Sequence, residues 1–204
     1  MALVKYNNNS ISDITAAAGI ASGGLNLITT NTISSGVSSS SFTSSIDSTY
    51  DTYLFTFINI HGATDGSEFT VNFRDGSSAF DATKTTTSFY AYNSEATSET
   101  ALSYKTDGDL ANATGYQRLQ DGSTSGAGND ESLSGIMFLF SPSSTTFVKH
   151  FLIRTNSYMN WNSPGDYNVA GYCNVTAAID GVDFKFSSGN IDSGVIKMYG
   201  LSKS

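Results

Sequence analysis

Tyr53-Leu54-Phe55-Thr56-Phe57-Ile58-Asn59-Ile60 decides the fold class. The run is rich in aromatic and β-branched side chains and reads as a strand. Tyr53, Phe55 and Phe57 fall on one face, and Leu54, Ile58 and Ile60 on the other. Apolar residues on both faces predict a central strand covered on both sides. Gly62-Ala63-Thr64-Asp65-Gly66 follows as a turn. Phe69, Val71 and Phe73 then alternate with Thr70 and Asn72, the mark of a half-buried strand.

The same period of two recurs along the chain. Further strands are expected near residues 40–46 and over Lys84–Tyr92, Leu133–Phe140, Phe147–Arg154, Tyr167–Val175, Gly181–Phe186 and Val195–Tyr199. Leu133–Phe140 and Phe147–Arg154, separated by Ser141-Pro142-Ser143-Ser144, read as a hairpin. Residues 93–131 have the least pattern. A loop of that length is uncommon in a compact domain, so it is read as functional or partly helical. Eight or nine short strands with Gly, Ser, Asn and Asp turns predict an all-β chain: a β-sandwich, with a jelly roll as its wiring. The period-two pattern starts at Leu25, which divides the chain into an N-terminal docking arm, residues 1–24, and a β-sandwich domain, residues 25–204.

Composition narrows the function. Ser, Thr, Asn and Gly make up about 45% of the 204 residues, while charged residues are only 14%. Aromatics reach 12%, with 13 Phe and 11 Tyr, which argues against disorder of the whole chain. The formal charge is −8 and the ten basic residues are scattered, so no stripe exists to track phosphates and nucleic acid is not an expected partner. No apolar run approaches the ~18 residues of a membrane span, so no membrane insertion is expected. MALVKYNNNS lacks an apolar core, so no signal peptide is expected. The single cysteine, Cys173, excludes an intramolecular disulfide framework and reads as a buried, inert thiol.

Catalytic patterns are sparse. His61 and His150 lie far apart and outside any H-x-x-x-H spacing, so a zinc hydrolase is disfavoured. Gly122-Ser123-Thr124-Ser125-Gly126 has Thr where a nucleophile elbow needs Ser. Asp107-x-Asp109 with Asn112 has some character of a calcium loop. The EF-hand positions for Gly and Glu are held by Asn112 and Arg118, so the aspartates read as solvated turn residues. No cofactor is expected. One constellation stands out: Tyr158, Trp161, Tyr167 and Tyr172, interleaved with Asn156, Asn160, Asn162 and Asp166. Aromatic faces beside amides suit sugar rings, and the same side chains suit a subunit contact.

Two segments resemble a known family. They are Phe42-Thr43-Ser44-Ser45-Ile46-Asp47-Ser48-Thr49-Tyr50-Asp51-Thr52-Tyr53-Leu54-Phe55-Thr56-Phe57-Ile58-Asn59-Ile60-His61, and Phe184-Lys185-Phe186-Ser187-Ser188-Gly189-Asn190-Ile191-Asp192-Ser193-Gly194-Val195-Ile196-Lys197-Met198-Tyr199-Gly200-Leu201. Both are similar to the Ser/Thr-rich structural, tail-fibre-like virion proteins of marine tailed phages, over about residues 25–201. The resemblance implies a non-enzymatic β-sandwich module on the virion, as a tail-fibre or appendage piece or a capsid decoration. It implies a homo-oligomer, a trimer by preference. The arm is then the natural contact to other virion proteins, and a host surface glycan a further partner. A carbohydrate-binding module is the second expectation, and a β-sandwich hydrolase the third.

Overall fold

The computed structural model describes residues 24–96, 98–121 and 125–202. The expected arm therefore lies outside the described residues, apart from Gly24. Within them the chain is a β-sandwich of two antiparallel sheets.

The large sheet has eight strands, in the order β1 (Leu25–Ile33), β12 (Ile191–Leu201), β3 (Thr52–Gly62), β8 (Leu133–Phe140), β9 (Lys149–Met159), β10 (Ser163–Cys173), β5 (Lys84–Asn93) and β6 (Thr100–Tyr104). The small sheet has four: β2 (Ser40–Phe42), β11 (Gly181–Phe186), β4 (Phe69–Arg74) and β7 (Gln117–Arg118). Twelve strands replace the expected eight or nine. β1, β6 and β7 account for the difference: β6 and β7 are short and largely polar, and β1 alternates only at Leu25-Asn26-Leu27 before it runs into Thr and Asn. Among its described residues, the region 93–131 holds β6, β7 and a 3-10 turn at Thr106–Gly108.

The core lies between the sheets. Tyr53, Phe55, Phe57, Met137, Leu139, Phe151 and Met198 point inward from the large sheet and are almost fully buried. Phe42, Phe69, Val71, Phe73, Val182 and Phe184 meet them from the small one. The Phe184 ring sits 5.1 Å from Phe57, 5.6 Å from Phe55 and 5.9 Å from Phe69. These edge-to-face and offset contacts add to the area that the rings bury.

The reading of β3 as covered on both sides is corrected by the structure. A bulge at Asn59, which adopts φ 49°, shifts the parity of the strand. Ile60 thereby turns inward to 1% exposure, joining Phe57 rather than Ile58. Opposite the bulge, Gly194 takes φ +133°, and a Cβ there would lie 2.8 Å from the Asn59 carbonyl oxygen. Ile58 is left 42% exposed and Leu54 half-buried. The second face of β3 is therefore the outside of the sandwich.

That outside face is continuous. The strand registers align Leu27, Tyr199, Leu54, Phe138, Leu152 and Ala170 in one row across β1, β12, β3, β8, β9 and β10. The next row runs Lys197, Thr56, Ile136, Arg154, Asn168 and Phe89. The outer face of the small sheet has the opposite character. Asn72 and Asp183 stand opposite each other there and are buried. Asn72 donates to the Thr114 carbonyl (3.0 Å), and Asp183 accepts from Ser41 Oγ (2.5 Å) and from Tyr116 Oη (2.8 Å). The segment around Thr114–Tyr116 thus satisfies the polar groups of that sheet, as burial requires.

Candidate contact site at the hairpin tip

β9 and β10 form a hairpin closed by three residues, Asn160, Trp161 and Asn162, between the paired Met159 and Ser163. The Asn162 amide donates to the Met159 carbonyl (3.0 Å), and Asn162 adopts φ 56°. A tight turn followed by a left-handed residue is a usual three-residue hairpin, and Asn tolerates that φ well. The turn fixes Trp161 at the tip, where it is half-buried.

The four aromatics of the sequence constellation do not converge. Period two sends Tyr167 and Tyr172, five residues apart, to opposite faces of β10. Tyr167 is inside, 2% exposed, with its hydroxyl 3.4 Å from Ser88 Oγ. Burial pushes its phenol pKa up to about 12. It is therefore not available to a glycan or a subunit in the folded chain. Tyr172 lies outside, edge-on to His150 at 6.0 Å. Tyr158 is also outside, with its hydroxyl 3.2 Å from Asn162 Oδ1. Tyr158 pairs with Pro164, and Tyr172 with His150, so the two mark opposite ends of the hairpin, on the order of 25 Å apart at strand rise.

What Trp161 does meet is Tyr92, edge-on at 4.8 Å, and Tyr92 stacks on Tyr90 at 5.7 Å. Lys105 Nζ stands 5.0 Å over the Tyr90 ring, within cation–π range. Tyr90 and Tyr92 come from β5, two residues apart on one face, and sequence proximity to Trp161 gave no pointer to them. Their i, i+2 spacing in the expected strand Lys84–Tyr92 is the signal that was there to read. The site is thus an aromatic ladder, Tyr90–Tyr92–Trp161, with Asn162 and Tyr158 beside its outer end and a cation at its inner end.

An ion network anchors that inner end. Lys105 pairs with Asp121 (2.8 Å) and Asp107 (3.6 Å); Arg118 pairs with Asp107 (3.0 Å) and Glu68 (3.2 Å). Burial pulls the Lys105 ammonium down, but the Asp121 hydrogen bond and charge override it, and the pKa is raised. Burial raises Glu68 against the pull of Arg118. Asp109 accepts from Ser88 Oγ (3.0 Å) and from Tyr104 Oη. Asp107 is a solvated turn residue, as expected, that also pairs with Lys105 and Arg118, while Asp109 is half-buried and held by hydroxyls. Among the described residues, no three His, Cys, Asp or Glu side chains group as a metal site.

Two lysines and the cysteine are enclosed. Lys84 Nζ donates to Asn72 Oδ1 (2.5 Å) and to the Ala82 carbonyl (2.7 Å), and burial lowers its pKa to about 8. Lys149 Nζ donates to the carbonyls of Ser144, Phe147 and Val175. Cys173 pairs in register with both lysines and is fully buried, with its thiol pushed up to about 12. A thiol so placed has little nucleophilic character at neutral pH. His61 Nε2 lies 3.0 Å from the Gly128 carbonyl and Nδ1 lies 3.7 Å from Asp192. No protein family, curated protein or solved structure matches the chain.

Proposed function

We propose that this chain is a non-enzymatic structural module of a tailed-phage virion, a tail-fibre or appendage piece or a capsid decoration of jelly-roll type, working as a homo-oligomer. The observation that carries the reading is where the two family-like segments meet. Phe42–His61 contributes the last residue of β2 and all of β3 but Gly62, and Phe184–Leu201 contributes the end of β11 and all of β12. β3 and β12 are neighbours in the large sheet, and Phe42 stands 5.3 Å from Phe55 and 6.2 Å from Phe184. The resemblance therefore falls on residues that pack together as the core of the sandwich. A fold whose buried ionisable groups are tied to carbonyls and amides serves architecture well. Residues 1–24 remain the proposed docking arm to other virion proteins.

The test is location. Antibody or gold labelling of intact particles is expected to place the protein on the tail or the capsid surface. Particles that carry none of it while the infected cell does would overturn the reading.

A second reading is favoured by one observation: Trp161 is held at a hairpin tip, part-exposed, beside Asn162. That arrangement suits a neutral sugar, with the ring face stacking and the amide donating. In this reading the module also holds host surface glycan. Trp161 fluorescence should then shift on titration with host polysaccharide, and Trp161→Ala should abolish the shift.

A further inference from the structure

The outer face of the large sheet carries one row of apolar side chains across six strands, beside a row that mixes Ile136 and Phe89 with Lys197, Thr56, Arg154 and Asn168. Antiparallel sheets that face water on one side carry polar residues there. Here Leu27, Phe89, Ile136 and Leu152 are 57%, 46%, 38% and 50% exposed, and Leu54 and Phe138 stand beside them in register. Single exposed apolar residues are normal on protein surfaces, but a row that crosses six strands is not. A groove of about 310 Å³ runs between Phe89, Ile136, Phe138 and Leu152, with Val169 and Ala170 in its lining.

We propose that this face is buried against a second copy of the same chain. Three features select that occupant. The first is charge. The chain carries −8 overall, yet Arg154 and Asp166 on this face neutralise each other through a two-bond pair (2.9 Å each). Lys197 is the one other charged residue in the two rows. Identical copies can meet here without acidic repulsion, whereas a strongly acidic or basic partner finds no complement. The second is area. The exposed apolar residues run from Leu27 on β1 to Phe89 on β5, across seven strands and a breadth on the order of 30 Å, which suits an interface of standard size. The third is shape. The face carries both the projecting side chains, Phe89 and Leu152, and the groove between them, so one copy supplies what the other accepts. Self-complementarity of this kind is the property of an isologous contact.

The inference rests on the homo-oligomer part of the reading above and not on the virion part. It assigns the contact to the outer sheet face, on the opposite side of β5 from Tyr90 and Tyr92 of the ladder.

The experiment measures the mass of the full-length protein by sedimentation equilibrium from 1 to 50 µM, beside Leu152→Glu and Phe89→Lys. The two substitutions sit on different strands, so one failing to fold leaves the other to decide; far-UV circular dichroism and the melting temperature establish which are folded. The wild type is expected to associate. Each folded variant is expected to weaken association about thirty-fold or more, the scale of a central interface residue, and to run near 21.6 kDa at 1 µM. A wild type that stays monomeric at 50 µM overturns both the oligomer and the face. A wild type that associates as tightly as both folded variants overturns the face alone. Failure of the virion reading would show separately, as particles without the protein.

Discussion

The two sheets of this sandwich turn opposite surfaces outward. The outer side of the small sheet is polar, and the chain covers it: Asn72 and Asp183 are buried under Thr114 and Tyr116 with their hydrogen bonds made. The outer side of the large sheet carries an apolar row, and Leu152, Phe89 and Ile58 stand about half exposed there. Burial of polar groups demands partners of fixed geometry, which one chain can place in advance. Burial of apolar groups demands only area and shape, which a second molecule can bring. The contrast teaches that a sandwich of this build is complete on one side and unfinished on the other.

The inner row sets the scale. Phe184→Ala removes a ring that contacts Phe42, Phe55, Phe57 and Phe69, and should cost about 3–5 kcal/mol of unfolding free energy in denaturant titration. Leu152→Ser, on the outer row of the same sandwich, should change the stability of the dilute monomer by about 0.5 kcal/mol or less. Similar costs at both positions would erase the distinction between a buried and an open face.

Lys84 sharpens the covered side, because its ammonium is the donor that reaches Asn72. Its folded pKa is about 8, against the ordinary lysine value of 10.5. Between these values the unfolded chain holds a proton that the folded chain does not, so the Lys84 contribution to stability rises with pH. The penalty is complete below pH 8 and is relieved by about pH 10.5. Cys173 works in the other direction above pH 9, since its folded pKa is raised to about 12. The comparison to make is therefore Cys173→Ala minus the double variant Cys173→Ala/Lys84→Met, in which the thiol is absent from both, because the thiol and the ammonium shift each other. That difference should climb with pH by up to about 3 kcal/mol across the window. A flat difference would mean that the ammonium is solvated.

Tyr116→Phe deletes one of the two hydroxyl donors to buried Asp183. A loss of about 1.5–3 kcal/mol is expected in thermal or chemical denaturation, the usual scale for a hydrogen bond to a charged group. A neutral result would mean that water reaches Asp183 and that the small sheet is not sealed. Trp161→Ala is expected to cost less than Tyr116→Phe, about 1 kcal/mol or less, because the side chain is half exposed and its main contact is the edge of Tyr92.

The strands with clean alternation were readable from residues alone. Phe69–Phe73 and Gly181–Phe186 lie where the period of two placed them, as β4 and β11. β6 and β7 were harder, because they are short and largely polar, and in β1 the alternation at Leu25-Asn26-Leu27 fades into Thr and Asn. The Asn59 bulge was invisible for another reason. One inserted residue reverses the parity of all that follow, so Ile60 was assigned to the same face as Ile58. The candidate site was half readable. Trp161 and its flanking amides sit at a turn, as an N-W-N tripeptide between strands suggests. Tyr92, its actual neighbour, comes from a strand almost 70 residues earlier and only the tertiary pairing of β5 with β10 brings it there. Tyr167 shows the opposite error: nearness in sequence grouped it with Tyr172, although an odd separation on one strand puts the two on opposite faces.

The most direct measurement is hydroxyl-radical footprinting of the full-length protein, read by mass spectrometry at 1 and 50 µM. Phe147, 74% exposed and outside the strands, is the open reference, and Phe55 is the closed one. At 50 µM, Leu54, Phe89, Phe138 and Leu152 are expected to oxidise several-fold more slowly than at 1 µM, while Phe147 and Phe55 keep their rates. Oxidation of those four at the same rate in both samples, in protein that sediments as an oligomer, would contradict the account.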